Sequence, residues 1–381
     1  MIIYKDEKFG FFELFNEDNG TLIRSETNGI DPTMRSFPEL LDVGIMGHCS
    51  NGAYCQAAGI DCYQQGTKLD TPHMSTQDFE LIARQASGKT FQIALGGAGD
   101  PNKHPELEEI LKICRYYHIV PNLTTSGFQL SDKEISIIKK YCGAVAVSWY
   151  SRLINGIESN FATIDAIQRL VSAGCTTNIH FVVSNDTLDE AILRLEEDRF
   201  PDQVNAVVFI LYKPVGFGIK KKVVSAEDVR LIRFFELISK KHPFQIGFDT
   251  CFTPAILRWT KSISYASIDA CEAATFSMYI DSTLNCYPCS FGIWNETNPE
   301  SLHKKTLRYI WNEKQFASYR ERKKEKCALC PMIEQCRMGC RLGLNIDLCP
   351  PFADFAQTPA PPRGHLPFSL FSLFPTFHLV S

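Results

Sequence analysis

Between Leu40 and His242 six apolar, strand-length runs alternate with amphipathic helical stretches, and this alternation restricts the fold more than any other feature of the chain. Leu40–Met46, Thr90–Leu95, Val120–Thr125, Ala144–Trp149, Thr177–Val183 and Val204–Tyr212 read as strands. Ser75 with Asp78 predicts a helix start, after which Phe79, Ile82, Ala83 and Ala86 share a face. Pro105–His118 is the next helix, and Ser131 with Glu134 is a capping box opening another that runs to Cys142. Phe161, Ile164, Ile167 and Leu170 stripe a further helix that stops at Gly174. Leu188–Leu195 is amphipathic again, and Ser225 with Asp228 predicts a long last helix ending near His242. Repeated βα units require a parallel sheet with right-handed crossovers, either an open doubly wound sheet or a partial barrel. Both gather chemistry at the carboxyl ends of the strands.

The loop after the first strand carries Cys49, Cys55 and Cys62, spaced C-x5-C-x6-C. Three thiolates are one short of closing a structural zinc site, whereas an iron–sulfur cubane held by three cysteines keeps one iron open. After the second strand, Gly96, Gly97 and Gly99 let backbone approach a ligand closely, and Asp100 follows them. The absence of G-K-[ST] excludes a Walker A loop. Thr124, Thr125, Ser126 and Gly127 end the third strand, and Ser148 lies near the end of the fourth.

Fifteen cysteines in a chain that opens on MIIYKDEKFGFF, without the pattern of a secretory signal, point to a reducing cytoplasm and to metal or redox use rather than disulfides. A net charge of −4 gives no basic footprint for nucleic acid. The runs Lys220–Lys222 and Arg320–Lys326 read as solvated faces. Residues 1–39 form a lead-in with a hairpin over Phe9–Glu26, better suited to capping a barrel end than to touching substrate. Leu366–Val380 is too short and too proline-broken to span a membrane, and 350–381 reads as a disordered tail.

The C-terminal part is the most specific. Cys327, Cys330, Cys336 and Cys340 form C-x2-C-x5-C-x3-C, with Cys271 and Cys289 before them and Cys349 after. A structural zinc site is the competing reading. This pattern resembles that of radical S-adenosylmethionine enzymes with a SPASM extension. GGAGDP looks like their Gly-Gly-Glu-Pro segment, and YKPVGFG resembles the segment after their sixth strand. The chain departs from the family at three places: a longer cysteine loop with Asp61 before Cys62, Asp100 in place of Glu, and Leu284 in place of Gly.

The resemblance implies a partial (β/α)6 barrel over 40–250 and an auxiliary-cluster domain over 251–349. It implies a [4Fe–4S] cluster on Cys49, Cys55 and Cys62, and S-adenosylmethionine against Gly96, Gly97, Gly99, Asp100, Thr125 and Ser148. Cys271, Cys289 and Cys340 would hold a first auxiliary cluster, with Cys286 or Cys251 as candidates for a fourth ligand. Cys327, Cys330, Cys336 and Cys349 would hold a second. Cys114, Cys142 and Cys175 read as structural. The implied partners are a peptide or protein substrate, matured oxidatively by a thioether or other crosslink, and a small electron donor such as flavodoxin or ferredoxin. Nucleic acid and membrane are not among them. Sulfatase maturation is the alternative within the family, although Ser290 stands where those maturases carry an Asp that serves as a base. Outside enzymes, the alternative is a zinc or iron–sulfur protein that only binds a partner or carries electrons.

Overall fold

The computed structural model describes residues 1–26, 32–150, 153–154, 157–158, 161–260, 268–294 and 298–349. The lead-in is a three-stranded antiparallel meander of β1 (Ile2–Asp6), β2 (Phe11–Phe15) and β3 (Leu22–Glu26). The expected hairpin is its β2–β3 half, and β1 is an addition. Phe15 and Leu22 pack on Phe91 and Val120, at the amino ends of two sheet strands, with the Phe15 and Phe91 rings stacked at 5.1 Å. The meander therefore closes the end of the barrel away from the cysteine loop.

The main sheet contains β4 (Leu40–Met46), β5 (Gln92–Gly97), β6 (Val120–Thr125), β7 (Ala144–Ser148), β10 (Thr177–Val183) and β11 (Ala206–Leu211). Between β7 and the next helix lies a short pair, β8 (Leu153–Ile154) and β9 (Ile157–Glu158). All six predicted strands are present and run parallel. Their residues are almost wholly buried, as expected of a sheet covered on both faces. The sheet is wider than the six-strand reading. At one edge β12 (Gln245–Phe248) pairs parallel with β11, and at the other β13 (Ser277–Ile280) pairs parallel with β4. Beyond β13 the order continues antiparallel through β14 (Asn285–Tyr287) and β15 (Glu300–Ser301). The cysteine-rich C-terminal part thus begins by extending the barrel's own sheet.

The helices follow their signals. α1 (Gly52–Ala57) lies in the cysteine loop, and α2 (Thr76–Ala86) is capped by Ser75, whose hydroxyl accepts from Asp78 N–H. α3 (Leu107–Tyr116) follows, then α4 (Asp132–Tyr141), which has the reciprocal Ser131–Glu134 capping box. α5 (Phe161–Ser172) and α6 (Leu188–Glu196) complete the predicted set up to the last. That last helix, α7, spans only Arg230–Ile238. The Asp228 carboxylate bonds the Arg230 N–H and guanidinium, so Ser225–Asp228 forms a turn ahead of the helix instead of its cap. The C-terminal part adds α8 (Thr253–Trp259), α9 (Leu307–Asn312), α10 (Lys314–Glu321) and α11 (Ile333–Cys336).

The two basic runs are not simply solvated. Lys222 is paired with Asp61 at 2.7 Å, and Arg320 donates to the carbonyls of Ala274 and Trp311. Lys324 and Lys326 both meet the buried carboxylate of Asp347. Helix-surface spacing gave no hint of these partners, because none lies three or four residues away. Among the described residues no helix is long and apolar enough to cross a membrane. The expected tail over 350–381 lies outside the described residues.

Candidate active site

A cavity of about 280 Å³ opens at the carboxyl ends of the strands. Cys49, Cys55 and Cys62 line it, together with Gly96, Gly97, Gly99, Asp100, Thr125 and Ser148. Every residue expected at the cluster and at S-adenosylmethionine therefore faces one space.

Backbone contacts fix the cysteine loop. Cys49 N–H donates to the Gly66 carbonyl at 3.0 Å, and the Cys62 carbonyl accepts from Phe217 N–H at 3.1 Å. A Cβ on Gly66 would stand 1.7 Å from the Ala98 carbonyl oxygen and 2.9 Å from the Cys49 Cβ, so only glycine lets the loop lie against the turn after β5. Gly97 and Gly99 serve the same packing, since a Cβ on either would come within 2.6 Å of the Met46 or His48 carbonyl oxygen. Gly96 alone of the three has open space beside it. The ligand-approach reading thus suits Gly96, while the other two seat the cysteine loop.

Asp61, the residue before Cys62, accepts from Tyr212 Oη at 2.9 Å and pairs with Lys222. It ties the third cysteine to the chain leaving β11. Asp100 accepts from the Ser126 N–H at 2.7 Å and hydroxyl at 2.6 Å, while the Thr125 hydroxyl donates to Asn102 at 2.7 Å. The hydroxyl residues after β6 thus brace the glycine turn. Tyr150 hydrogen-bonds the Cys55 thiol and Ser148.

Two groups in the cavity were missed from sequence. Asp42, in the middle of β4, is buried, hydrogen-bonds Ser290 and leaves Oδ2 without a partner; burial pushes its carboxyl up to about 8. His180 on β10 is also buried, with Nε2 unpartnered, and burial lowers it to about 4. A titratable residue interrupting an apolar strand, as in LLDVGIM and TNIHFVV, was the available signal.

The C-terminal cysteines, Cys286 apart, form two groups. Cys327, Cys330, Cys336 and Cys349 line one small cavity of about 20 Å³, together with Pro254, Leu257 and Met338. Cys271, Cys289 and Cys340 are buried in the main core, and Cys251 is partly buried against it. Cys286 points elsewhere: its neighbouring charges are Asp281 and Glu300, and its sulfur lies 4.0 Å from the Leu284 carbonyl. Cys114, Cys142 and Cys175 stand near one another in the helical layer, and burial raises all three thiols.

The donor set fits an iron–sulfur cluster. Burial, then the charges of Asp100, Cys49 and Cys62, push Cys55 up to about 12, so three thiolates coexist there only around a cationic group. Among the described residues no group of His, Cys, Asp or Glu is arranged to hold a single metal ion.

A domain described as an iron–sulfur cluster-binding domain, SPASM, matches residues 271–337. Together with the open parallel barrel, it defines the class: a radical S-adenosylmethionine fold carrying a SPASM domain. Among particular proteins, the chain is similar in structure to SuiB of Streptococcus suis bound to S-adenosylmethionine, with a TM-score of 0.63 and 19% identity, over 81% of this chain and 74% of that one. It is also similar to anSMEcpe with bound AdoMet and Cp18Cys peptide, with a TM-score of 0.56 and 15% identity, over 80% and 89% of the two chains. In sequence it is 25% identical over 198 residues to a probable GTP 3',8-cyclase of Saccharolobus islandicus, covering 49% of this chain. The match spans 63% of that relative's length.

Proposed function

We propose that this chain is a radical S-adenosylmethionine enzyme that oxidatively modifies a peptide or protein. The observation that carries the reading is the convergence of Cys49, Cys55, Cys62 and the open face of Gly96 on one cavity at the carboxyl ends of the strands. Cys49, Cys55 and Cys62 would hold a [4Fe–4S] cluster with one iron left for the methionine end of S-adenosylmethionine. When bound, the pair supplies a 5′-deoxyadenosyl radical able to remove a substrate hydrogen.

The protein's own residues do the rest. Gly96 admits the cofactor, Asp100 and Ser126 hold the glycine turn in place, and Tyr150 fixes the Cys55 thiol. Asp42 presents a protonated carboxyl, and His180 a neutral imidazole, to whatever enters. Cys271, Cys289 and Cys340 would hold one auxiliary cluster, and Cys327, Cys330, Cys336 and Cys349 another. A small donor such as flavodoxin or ferredoxin would supply the initiating electron.

A peptide substrate is supported by the likeness to SuiB, which has been seen bound to the precursor peptide SuiA, and to anSMEcpe with its peptide. Thioether or other crosslink formation is preferred to formylglycine formation, because Ser290 replaces the carboxylate expected of a sulfatase maturase. The test is release of 5′-deoxyadenosine from S-adenosylmethionine by anaerobically reconstituted protein with dithionite. We expect product from the wild type and only background from Cys55→Ala. Cluster-loaded wild type that makes no product, alone or with a peptide supplied by neighbouring reading frames, would establish an electron carrier or binding protein instead.

A further inference from the structure

Among the described residues, two buried side-chain atoms of the cavity lining lack a hydrogen-bond partner, Asp42 Oδ2 and His180 Nε2. His180 stands in register with Ser148, among the residues expected at S-adenosylmethionine. Asp42 is placed differently. It is set back from the end of β4, in register with Tyr279 of β13, so it belongs to the side of the cavity where the barrel sheet passes into the C-terminal part. That side is framed by three more lining residues, Tyr63, Gln64 and Phe291. The Tyr63 and Phe291 rings lie 4.6 Å apart, and Gln64 Nε2 donates to Tyr279 Oη at 3.3 Å. Gly44, two residues beyond Asp42 and on the same face of β4, makes room for this arrangement, since a Cβ there would stand 2.4 Å from Tyr279 Oη.

The charges around the cavity are already matched. Lys213 pairs with Asp249, Lys222 with Asp61 at 2.7 Å and Asp186 at 3.8 Å, and Glu190 with Arg194 at 2.8 Å. Asp100 is bonded by Ser126. Asp42 is 3% exposed, and its hydrogen-bond partner is the hydroxyl residue Ser290 rather than a cation. Burial without a counter-charge keeps such a carboxyl protonated, and its free oxygen then has a proton to give. A substrate carboxylate would find both lysines of the lining occupied. An ammonium group carries donors only, so it could not accept that proton as a hydrogen bond. An uncharged acceptor is the group that fits.

We propose that Asp42, Tyr63, Gln64 and Phe291 form a substrate subsite in which the Asp42 carboxyl donates a hydrogen bond to an uncharged polar side chain, a hydroxyl or a carboxamide. The two rings and the apolar strand exclude water from that bond, so a substrate residue lacking an acceptor would leave the buried carboxyl unsatisfied. The proposal rests on the reading of the chain as an enzyme that acts on a peptide or protein.

The experiment uses the full chain, reconstituted anaerobically and saturated with S-adenosylmethionine, without reductant. The probes are the N-acetyl, N′-methylamide derivatives of serine, asparagine, alanine, lysine and aspartate, which share a backbone and differ in the side chain. Their dissociation constants are measured by saturation-transfer NMR on wild type, Asp42→Leu and Asp42→Asn, each checked for iron content and unfolding midpoint. We expect the serine and asparagine probes to bind wild type about tenfold more tightly than the alanine probe, and the lysine and aspartate probes to gain nothing over alanine. Asp42→Leu should bind all five alike. Asp42→Asn, whose amide can donate in place of the carboxyl, should keep the preference. The subsite is overturned if wild type binds the five probes alike or takes lysine best, or if a folded Asp42→Leu keeps the preference. The wild-type series alone can overturn it, should that variant not fold. Dithionite is then added to the same wild-type samples. Release of 5′-deoxyadenosine alongside a flat probe series overturns the subsite and leaves the enzyme reading standing, whereas no release from cluster-loaded protein overturns the enzyme reading itself.

Discussion

Arg24→Met should destabilise the protein by about 3–5 kcal/mol, the cost of stripping one partner from a buried ion network. Arg24 on β3 is 1% exposed and lies 2.6 Å from Glu39, 3.4 Å from Glu13, 3.5 Å from Asp269 and 4.0 Å from Glu272. Arg35 holds the other side of Glu13 at 2.7 Å. The carboxylates come from the meander, from the residue before β4 and from the start of the SPASM segment, so one guanidinium joins three parts of the chain. Burial above all, partly opposed by Arg35, pushes Glu13 up to about 8, and its hydrogen bond with Glu39 adds to the rise. Without Arg24 these acids would be harder still to ionise, so the variant's deficit should widen as pH rises from 6 to 8. The measurement is the unfolding midpoint of the anaerobic protein at both pH values. Lys5→Met serves as the control, because Lys5 and Glu7 form an exposed pair worth under about 1 kcal/mol. A deficit for Arg24→Met no larger than the control's would show that the network does not hold these parts together.

The parts of this protein legible in the sequence were those governed by local rules. Ser131 and Glu134 specify a helix start within four residues, and Thr177–Val183 needs only its own apolar run to be a strand. The C-x2-C-x5-C spacing likewise keeps Cys327, Cys330 and Cys336 near one another in the chain before it folds, and one small cavity gathers them with Cys349. What sequence could not supply was pairing over long separations. Lys222 looked like part of a solvated run until Asp61 was placed beside it. β12 and β13 are only four residues long, and they acquire strand character by adding to the edges of an existing sheet. Gly97 and Gly99 read locally as ligand-approach positions, whereas the atoms that forbid a side chain there belong to Met46 and His48 on the neighbouring strand and loop.

Asp42→Asn should remove a pH dependence that runs opposite to that of an ion-paired carboxylate. In the folded protein the carboxyl is raised to about 8, first by burial, with the Ser290 hydrogen bond opposing. An unfolded aspartate titrates near 3.9, so between about pH 4 and 8 the native state holds a proton that the unfolded state has released. Stability from this group is therefore full below about pH 4, falls by up to about 1.4 kcal/mol per pH unit above it, and levels off beyond pH 8. Asparagine cannot ionise and keeps an oxygen for Ser290. Its stability relative to wild type should thus climb between pH 5.5 and 8, then stay flat. Glu13, raised to about 8, and His180, lowered to about 4, remain in both proteins and cancel in the difference. Unfolding midpoints of the two proteins at pH 5.5, 7.0 and 8.5 give the profile directly. Parallel profiles would mean that Asp42 is already ionised when folded. A climbing difference would establish that a neutral carboxyl, with Oδ2 free, faces the cavity at pH 7 and can donate a hydrogen bond to a substrate there.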